Sequence, residues 1–172
     1  MQKLTKILIV FIFFFVIGIF YFSLGKDASY NTENLVGKKI NNIQLESFTG
    51  SKIYKEELLK KNKFTLINFW ASWCAPCRSE HPYLMKLSKN KNLNIVGVNF
   101  KDKNKNASNF LKELGNPYDF LAKDNFGKQS IIFGIYGIPE SILINRDAFI
   151  VKKFVGPLSQ YDLEEIKNIL EN

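Results

Sequence analysis

The sequence predicts an α/β domain, with a mixed sheet flanked by helices, preceded by one transmembrane helix. Three observations support this fold class. An almost unbroken apolar run opens the 172-residue chain, strand-like and helix-like segments alternate through the rest, and two cysteines stand where a strand-like run gives way to a helix-like pattern. With 46% hydrophobic and 23% charged residues, the chain has the composition of an ordered globular protein.

The first element is the apolar run over residues 4–24. About 20 residues, each rising about 1.5 Å, cross a hydrocarbon core about 30 Å thick. Lys3 and Lys6 flank the start of the run, so the N-terminus is expected in the cytoplasm and the rest of the chain beyond the membrane. We expect a signal anchor over residues 1–25, a polar tether over 26–34 and a globular domain over 35–172. A cleaved signal peptide is the alternative, although such peptides have a shorter apolar region of roughly 7–15 residues.

The globular domain is expected to open with a small hairpin. Patchy alternation over residues 40–48 leads to a turn at Thr49-Gly50-Ser51, and residues 52–54 form the return. A short helix is possible over residues 56–61.

Two near-continuous apolar runs, residues 64–70 and 93–100, are typical of strands buried on both faces. A helix over residues 77–90 connects them, and a charged loop over 101–106 follows. The later elements are predicted as a helix over 107–114, a strand over 118–122, a helix over 127–133, strands over 142–144 and 149–151, and a helix from Ser159 with Asp162 as its capping partner.

Cys74 and Cys77 are the only cysteines in the sequence, and they open the predicted helix after the first buried strand. The N–H groups and partial positive charge of a helix N-terminus favour thiolate over thiol there. A Cys₄ or Cys₂His₂ zinc site is excluded, because His81 is the single histidine. A c-type haem attachment needs His after the second cysteine, where this chain has Arg78. The pair is therefore expected to be a redox dithiol without a cofactor or metal.

The net charge of +8 does not indicate a nucleic-acid-binding protein. The lysines are scattered and interrupted by acidic residues, and there are two arginines in the whole chain. A general lysine bias explains the charge, with some attraction to an anionic membrane surface as a modest consequence.

Two motifs resemble the thioredoxin superfamily. One is Trp73-Cys74-Ala75-Pro76-Cys77, and the other is Gly137-Ile138-Pro139 directly before a predicted strand. The segments 98–102, 124–128 and 133–141 are similar to the membrane-anchored CcmG (DsbE) family, which also has the helix–strand insertion matched by residues 101–123. The resemblance implies a thioredoxin fold with an N-terminal hairpin and this central insertion.

The family resemblance also implies a function. It implies a periplasmic thiol-disulfide oxidoreductase of cytochrome c maturation, held in the inner membrane by a single span. Such a protein keeps the haem-binding cysteines of apocytochrome c reduced, and receives electrons from a transmembrane reductase of the DsbD or CcdA type. A general reductase of the TlpA or ResA kind is the nearest alternative. A copper-site assembly protein or a peroxidase fits less well, since the Cys-x-x-x-Cys with a distant His, or the isolated peroxidatic Cys, is absent.

The cysteines have distinct expected roles. Cys74, expected to be partly exposed, would attack a substrate disulfide, and Cys77 would resolve the mixed disulfide. Trp73 is expected to shield and position the sulfurs. The resemblance places Pro139, in the cis form, against the dithiol, where an extended substrate could pair with the neighbouring backbone.

Two glutamates complete the predicted site. Glu80 shares a helical stripe with Leu84 and Leu87, so burial should raise its pKa and let it accept the proton of Cys77. The alternative is that Pro82 bends the helix and leaves Glu80 in water. Glu140, acidic in the family, is expected to tune the thiolate or contact the partner, and a plain strand-end charge is equally compatible with the sequence.

Overall fold

A computed structural model describes residues 2–24, 35–41, 43–56, 58 and 61–171. The chain divides into two compact units, residues 1–31 and 32–172. The expected tether, residues 26–34, lies outside the described residues, as do three of the six residues of the short helix expected over 56–61.

The first unit contains helix α1 (Gln2–Leu24). Residues Gln2–Phe22 are long and apolar enough to cross a membrane. Large apolar side chains are exposed all around this helix, and a helix that is apolar on every side is typical of a lipid-facing span.

The second unit is built on a seven-stranded sheet in the order β2-β1-β5-β4-β3-β6-β7. The strands are β1 (Leu45–Ser47), β2 (Ile53–Tyr54), β3 (Phe64–Trp70), β4 (Leu93–Phe100), β5 (Phe120–Asp124), β6 (Glu140–Asn145) and β7 (Ile150–Val155). The helices are α2 (Ala75–Leu87), α3 (Asn104–Leu114), α4 (Lys128–Ile132) and α5 (Gln160–Glu171).

The sheet is mixed, as the sequence predicts. β3, β4 and β5 run parallel, whereas β6 and β7 are antiparallel to their neighbours. The expected hairpin is confirmed as the antiparallel pair β1–β2, and β1 also pairs with β5. Helix α3 and strand β5 form the central insertion.

The two faces of the sheet bury different clusters. Leu66 and Trp70 of β3 pack with residues of α2, α3 and α5, whereas Ile67 and Phe69 pack on the opposite face with Phe133, next to α4. Every residue of β3 is buried, because side chains alternate between two covered faces.

Several predicted boundaries were displaced by two or more residues, among them those of α2 (predicted 77–90) and β7 (predicted 149–151), and two further differences have a clear cause in the structure. Residues 104–106, expected in the charged loop, belong to α3, which begins after Lys103 without a side-chain cap. β5 begins at Phe120 rather than at residue 118, because the backbone N–H of Tyr118 is bonded to the side chain of Asn116. The predicted capping pair of the last helix is present, with the Ser159 N–H donating to Asp162 Oδ2 over 2.7 Å.

Candidate redox site

Cys74 and Cys77 are joined by a disulfide bond at the start of α2. Cys74 is the N-cap residue, and its Sγ accepts a hydrogen bond from the backbone N–H of Cys77 at 3.1 Å. Pro76 lies in the first helical turn, where no N–H is required. Once the bond is reduced, the same N-terminal N–H groups would stabilise a thiolate at Cys74.

The structure corrects the expected exposure of Cys74. Its residue surface is 5% exposed and that of Cys77 is 2% exposed. Both belong to the core cluster on the α2 face of the sheet, and the partly buried Ile138 packs against this cluster. Because so little of Cys74 is exposed, a disulfide of another protein can reach its sulfur only if that disulfide lies in a narrow, extended segment.

Pro139 lies directly before β6, at the end of the sheet where β3 finishes. The Ile138–Pro139 bond is cis. β6 begins with Glu140 paired to Phe69 of β3, and the chain leaving β3 reaches Cys74 a few residues later. The segment before Pro139 and the disulfide thus lie at the same end of the sheet.

Glu80 is fully buried, and Pro82 does not expose it. Its Oε1 accepts a hydrogen bond from Asn68 Nδ2 at 2.8 Å, and its Oε2 accepts one from the backbone N–H of Leu158 at 2.9 Å. Burial raises the pKa of Glu80 from 4.5 to about 7, although both hydrogen bonds favour the ionised form. The carboxyl group can therefore exchange a proton near neutral pH, one helical turn from Cys77.

A second layer of buried polar groups holds Asn68 in place. Its Oδ1 accepts a hydrogen bond from the Tyr118 hydroxyl at 2.9 Å, and its Nδ2 also donates to Ser141 Oγ at 3.0 Å. Burial and the nearby Glu80 raise the pKa of Tyr118, so its hydroxyl stays a donor. The sequence analysis missed Tyr118 and Ser141. One signal was available: Gly97 stands inside a strand, where a Cβ would lie 2.6 Å from the Tyr118 ring.

Glu140 is neither a strand-end surface charge nor open to a partner, since its residue surface is 2% exposed. Its Oε2 forms an ion pair with Lys153 Nζ at 2.7 Å, and its Oε1 accepts hydrogen bonds from the backbone N–H groups of Tyr136 and Gly137. Side-chain alternation places Glu140 on the α4 face and Asn68, the partner of Glu80, on the α2 face. The two glutamates therefore act on different parts of the site.

Trp73 lies on the surface beside the disulfide and is 59% exposed. Its Nε1 donates to the carbonyl of Lys101 at 3.2 Å. The turn before Cys74 is further held by Asp102, which accepts hydrogen bonds from the backbone N–H and the hydroxyl of Ser72 at 2.7 and 2.9 Å. An open cleft of about 630 Å³ adjoins Trp73 and is lined by Lys101, Lys103 and Lys123 among others.

His81 is packed inside the protein and is not part of the redox site. His81 is buried, with Nε2 3.0 Å from the carbonyl oxygen of Gly115, and burial lowers its pKa. Among the described residues, no group of three or more His, Cys, Asp and Glu side chains could hold a metal ion.

Known proteins are similar to this chain over most of its length. The family model for Redoxin matches residues 35–170. The thiol:disulfide interchange protein DsbE of Escherichia coli is 38% identical over 149 residues, which cover 86% of this chain and 80% of that protein. The thiol:disulfide interchange protein CycY of Rhizobium leguminosarum is 52% identical over 105 residues, 61% of this chain; the chain spans 56% of the length of CycY.

The fold is similar to solved structures as well. The crystal structure of a thiol:disulfide interchange protein of the thioredoxin family from Chlorobium tepidum superimposes with a TM-score of 0.66. The two sequences are 25% identical, and the match covers 79% of this chain and 97% of that one.

Proposed function

The chain belongs to the Redoxin family and is a thiol-disulfide oxidoreductase of the thioredoxin superfamily, and on this premise we propose that it reduces disulfides in apocytochrome c. The observation that carries the thiol-disulfide chemistry is the Cys74–Cys77 disulfide at a helix N-terminus with the buried carboxyl group of Glu80 behind it, and the substrate is the one that the resemblance to the CcmG (DsbE) family implies.

The reaction begins with the reduced dithiol. The Cys74 thiolate attacks one sulfur of the substrate disulfide, which forms a mixed disulfide and releases the first substrate thiolate. The Cys77 thiolate then attacks the Cys74 sulfur, which forms the Cys74–Cys77 bond and releases the second substrate thiolate. Glu80 accepts the proton of Cys77, and the substrate thiolates take up protons. Two electrons pass from the protein to the substrate.

The residues between the cysteines support reduction as the direction of this transfer. Strong oxidants of the superfamily, such as DsbA at about −120 mV, have a histidine in this gap, and here it holds Ala75 and Pro76. A reducing dithiol outside the cytoplasm needs its own electron donor. We propose that a transmembrane thiol reductase of the DsbD or CcdA type supplies the electrons. Helix α1 would hold the protein in the inner membrane with the second unit in the periplasm.

A trapping experiment tests the function. Cys77→Ser removes the resolving thiol, so a substrate that has reacted with Cys74 stays attached to it. We expect apocytochrome c among the proteins released when captured complexes are reduced. Cys74→Ser, which retains the other cysteine, is the matched control and should capture much less.

The captured proteins also separate the alternatives. If exported thiol proteins are captured and apocytochrome c is not, the cytochrome assignment fails and a general reductase of the TlpA or ResA kind remains. Tight 1:1 binding of copper by the reduced protein would instead favour a role in copper-site assembly.

A further inference from the structure

The segment just before Pro139, residues 134–138, is held from inside the protein and open on its outer side. We call it the docking loop. Tyr136 is 73% exposed, and no heavy atom lies within 4 Å of the place where a Cβ on Gly137 would stand. Space is therefore available beside this backbone for an extended partner chain.

A buried ion pair fixes the inner side of the docking loop. Lys153 Nζ lies 2.7 Å from Glu140 Oε2 and also donates to the carbonyl of Gly134 at 2.5 Å. The other oxygen of Glu140 accepts from the N–H groups of Tyr136 and Gly137, at 3.1 and 3.0 Å. Lys153 thus binds Gly134 directly, has its Nζ 5.5 Å from the centre of the Tyr136 ring, and reaches the N–H groups of Tyr136 and Gly137 through Glu140.

Lys153 is buried beside the docking loop, whereas the adjacent lysine is not. Lys153 lies on β7 opposite Ile142 of β6, on the face of the sheet that faces α4, and is 4% exposed. Buried lysines are rare unless they are paired. Its neighbour Lys152 has the opposite environment: it is partly exposed and pairs with Glu165 of α5 at 2.6 Å.

We propose that Lys153 is a positioning residue, which through Glu140 holds the docking loop so that the backbone beside Pro139 receives an extended disulfide-containing segment next to Cys74. The inference rests on the proposed reductase function and deepens it. It assigns Lys153 no contact with the reacting sulfurs, so docking of a polypeptide depends on Lys153, whereas the intrinsic reactivity of the dithiol does not.

Two disulfide probes separate docking from thiol chemistry. The reduced full-length protein, in detergent micelles, is given either a synthetic peptide with an intramolecular disulfide or the small aromatic disulfide dithiobis(nitrobenzoate). In each reaction the dithiol is oxidised to the Cys74–Cys77 disulfide, and the probe is reduced to two thiols. For Lys153→Met we expect the single-turnover rate constant at sub-saturating peptide to fall about tenfold, through weaker binding of the peptide rather than a lower rate at saturation, the scale of a lost docking hydrogen bond. The rate with the small disulfide should stay within about twofold of the unsubstituted protein.

Matched variants control for the loss of a lysine. Lys152→Met removes the same side chain from the adjacent position and should leave both rates unchanged. Lys153→Arg retains the cation and should restore most of the peptide rate. In addition, the amide NMR signals of Tyr136 and Gly137 should shift in Lys153→Met and stay in place in Lys152→Met.

The proposal is overturned if Lys153→Met leaves peptide reduction unchanged, or if it slows both probes equally. If Lys153→Met does not fold, Lys153→Met/Glu140→Gln, which buries no charge, takes its place. There a selective peptide defect of about threefold is expected, because the direct contacts of Lys153 with the Gly134 carbonyl and the Tyr136 ring are lost while the glutamine introduced at position 140 can still accept from the loop N–H groups. Equality with the unsubstituted protein on both probes would again overturn the proposal. The reductase function itself fails only if the unsubstituted protein reduces neither probe.

Discussion

Glu80 has contacts that stabilise the fold and a pKa that suits proton transfer. Each of its two oxygens accepts one hydrogen bond, yet the loss of hydration outweighs those bonds and brings its pKa to about 7. The carboxyl group is mostly protonated below that pH and mostly ionised above it. Only the ionised form can take the proton of Cys77.

Replacing Glu80 by Gln should therefore slow the resolution step in a pH-dependent way. At about pH 8 we expect the rate of Cys77 attack on a mixed disulfide to fall by about a hundredfold, the lower end of the range of about 10²–10⁴ for a lost general base. At about pH 6, where Glu80 is protonated, the two proteins should differ much less. Rapid mixing of a preformed Cys74 mixed disulfide at both pH values measures this. Glu164→Gln, at an exposed position of α5, is the control, and a defect of equal size at both pH values would argue against the proton-acceptor role.

At the scale of elements, the turn that carries Trp73 depends on the loop after β4. Asp102 accepts four hydrogen bonds: two from Ser72, one from Asn99 Nδ2 at 3.1 Å and one from the Lys103 N–H at 2.7 Å. Through these bonds the carboxyl ends of β3 and β4 are fixed relative to each other. Cys74, the N-cap residue of α2, comes two residues after Ser72, so the position of the N-cap depends on this junction.

Asp102→Asn should destabilise this junction, because one acceptor oxygen becomes an NH₂ group facing donors. We expect a loss of about 1–3 kcal/mol in the free energy of unfolding, the cost of leaving such groups unpaired. Urea unfolding of the oxidised protein measures it. Asp147→Asn, at an exposed turn, should cost little. Equal stability of the two variants would show that the four bonds to Asp102 contribute nothing net.

The parts of this molecule that the sequence predicts are those set by local pattern. β3 and β4 are continuous apolar runs, and the stripe through Glu80, Leu84 and Leu87 follows from helical periodicity alone. The ion pair of Glu140 could not be predicted in this way. Lys152 and Lys153 are adjacent and point to opposite faces, and only the pairing of β7 with β6 determines which of them is buried.

At the scale of the whole chain, we expect α1 to hold the protein in the membrane. Ile12→Arg/Phe13→Arg puts two charges at the centre of the span, each costing about 2.5–3.5 kcal/mol in membrane insertion. We expect the protein to shift from the carbonate-resistant membrane fraction to the soluble fraction. Gln2→Arg/Thr5→Arg, with the same charges at the end of the helix, should remain in the membrane. Retention of both variants would contradict a membrane-spanning role for α1.

The borders of the seven-stranded sheet have a consequence for contact with other polypeptide chains. The unpaired N–H and C=O groups of an exposed edge strand can form hydrogen bonds with other chains, which promotes aggregation. Here one border is β2, two residues long, and at the other border Ile150 of β7 already exchanges backbone hydrogen bonds of 2.8 and 2.9 Å with Gly37 and Lys38. Another polypeptide therefore finds β2 too short, and the start of β7 already paired, for the addition of a strand at these two places, so strand pairing with a partner is favoured at the backbone beside the disulfide.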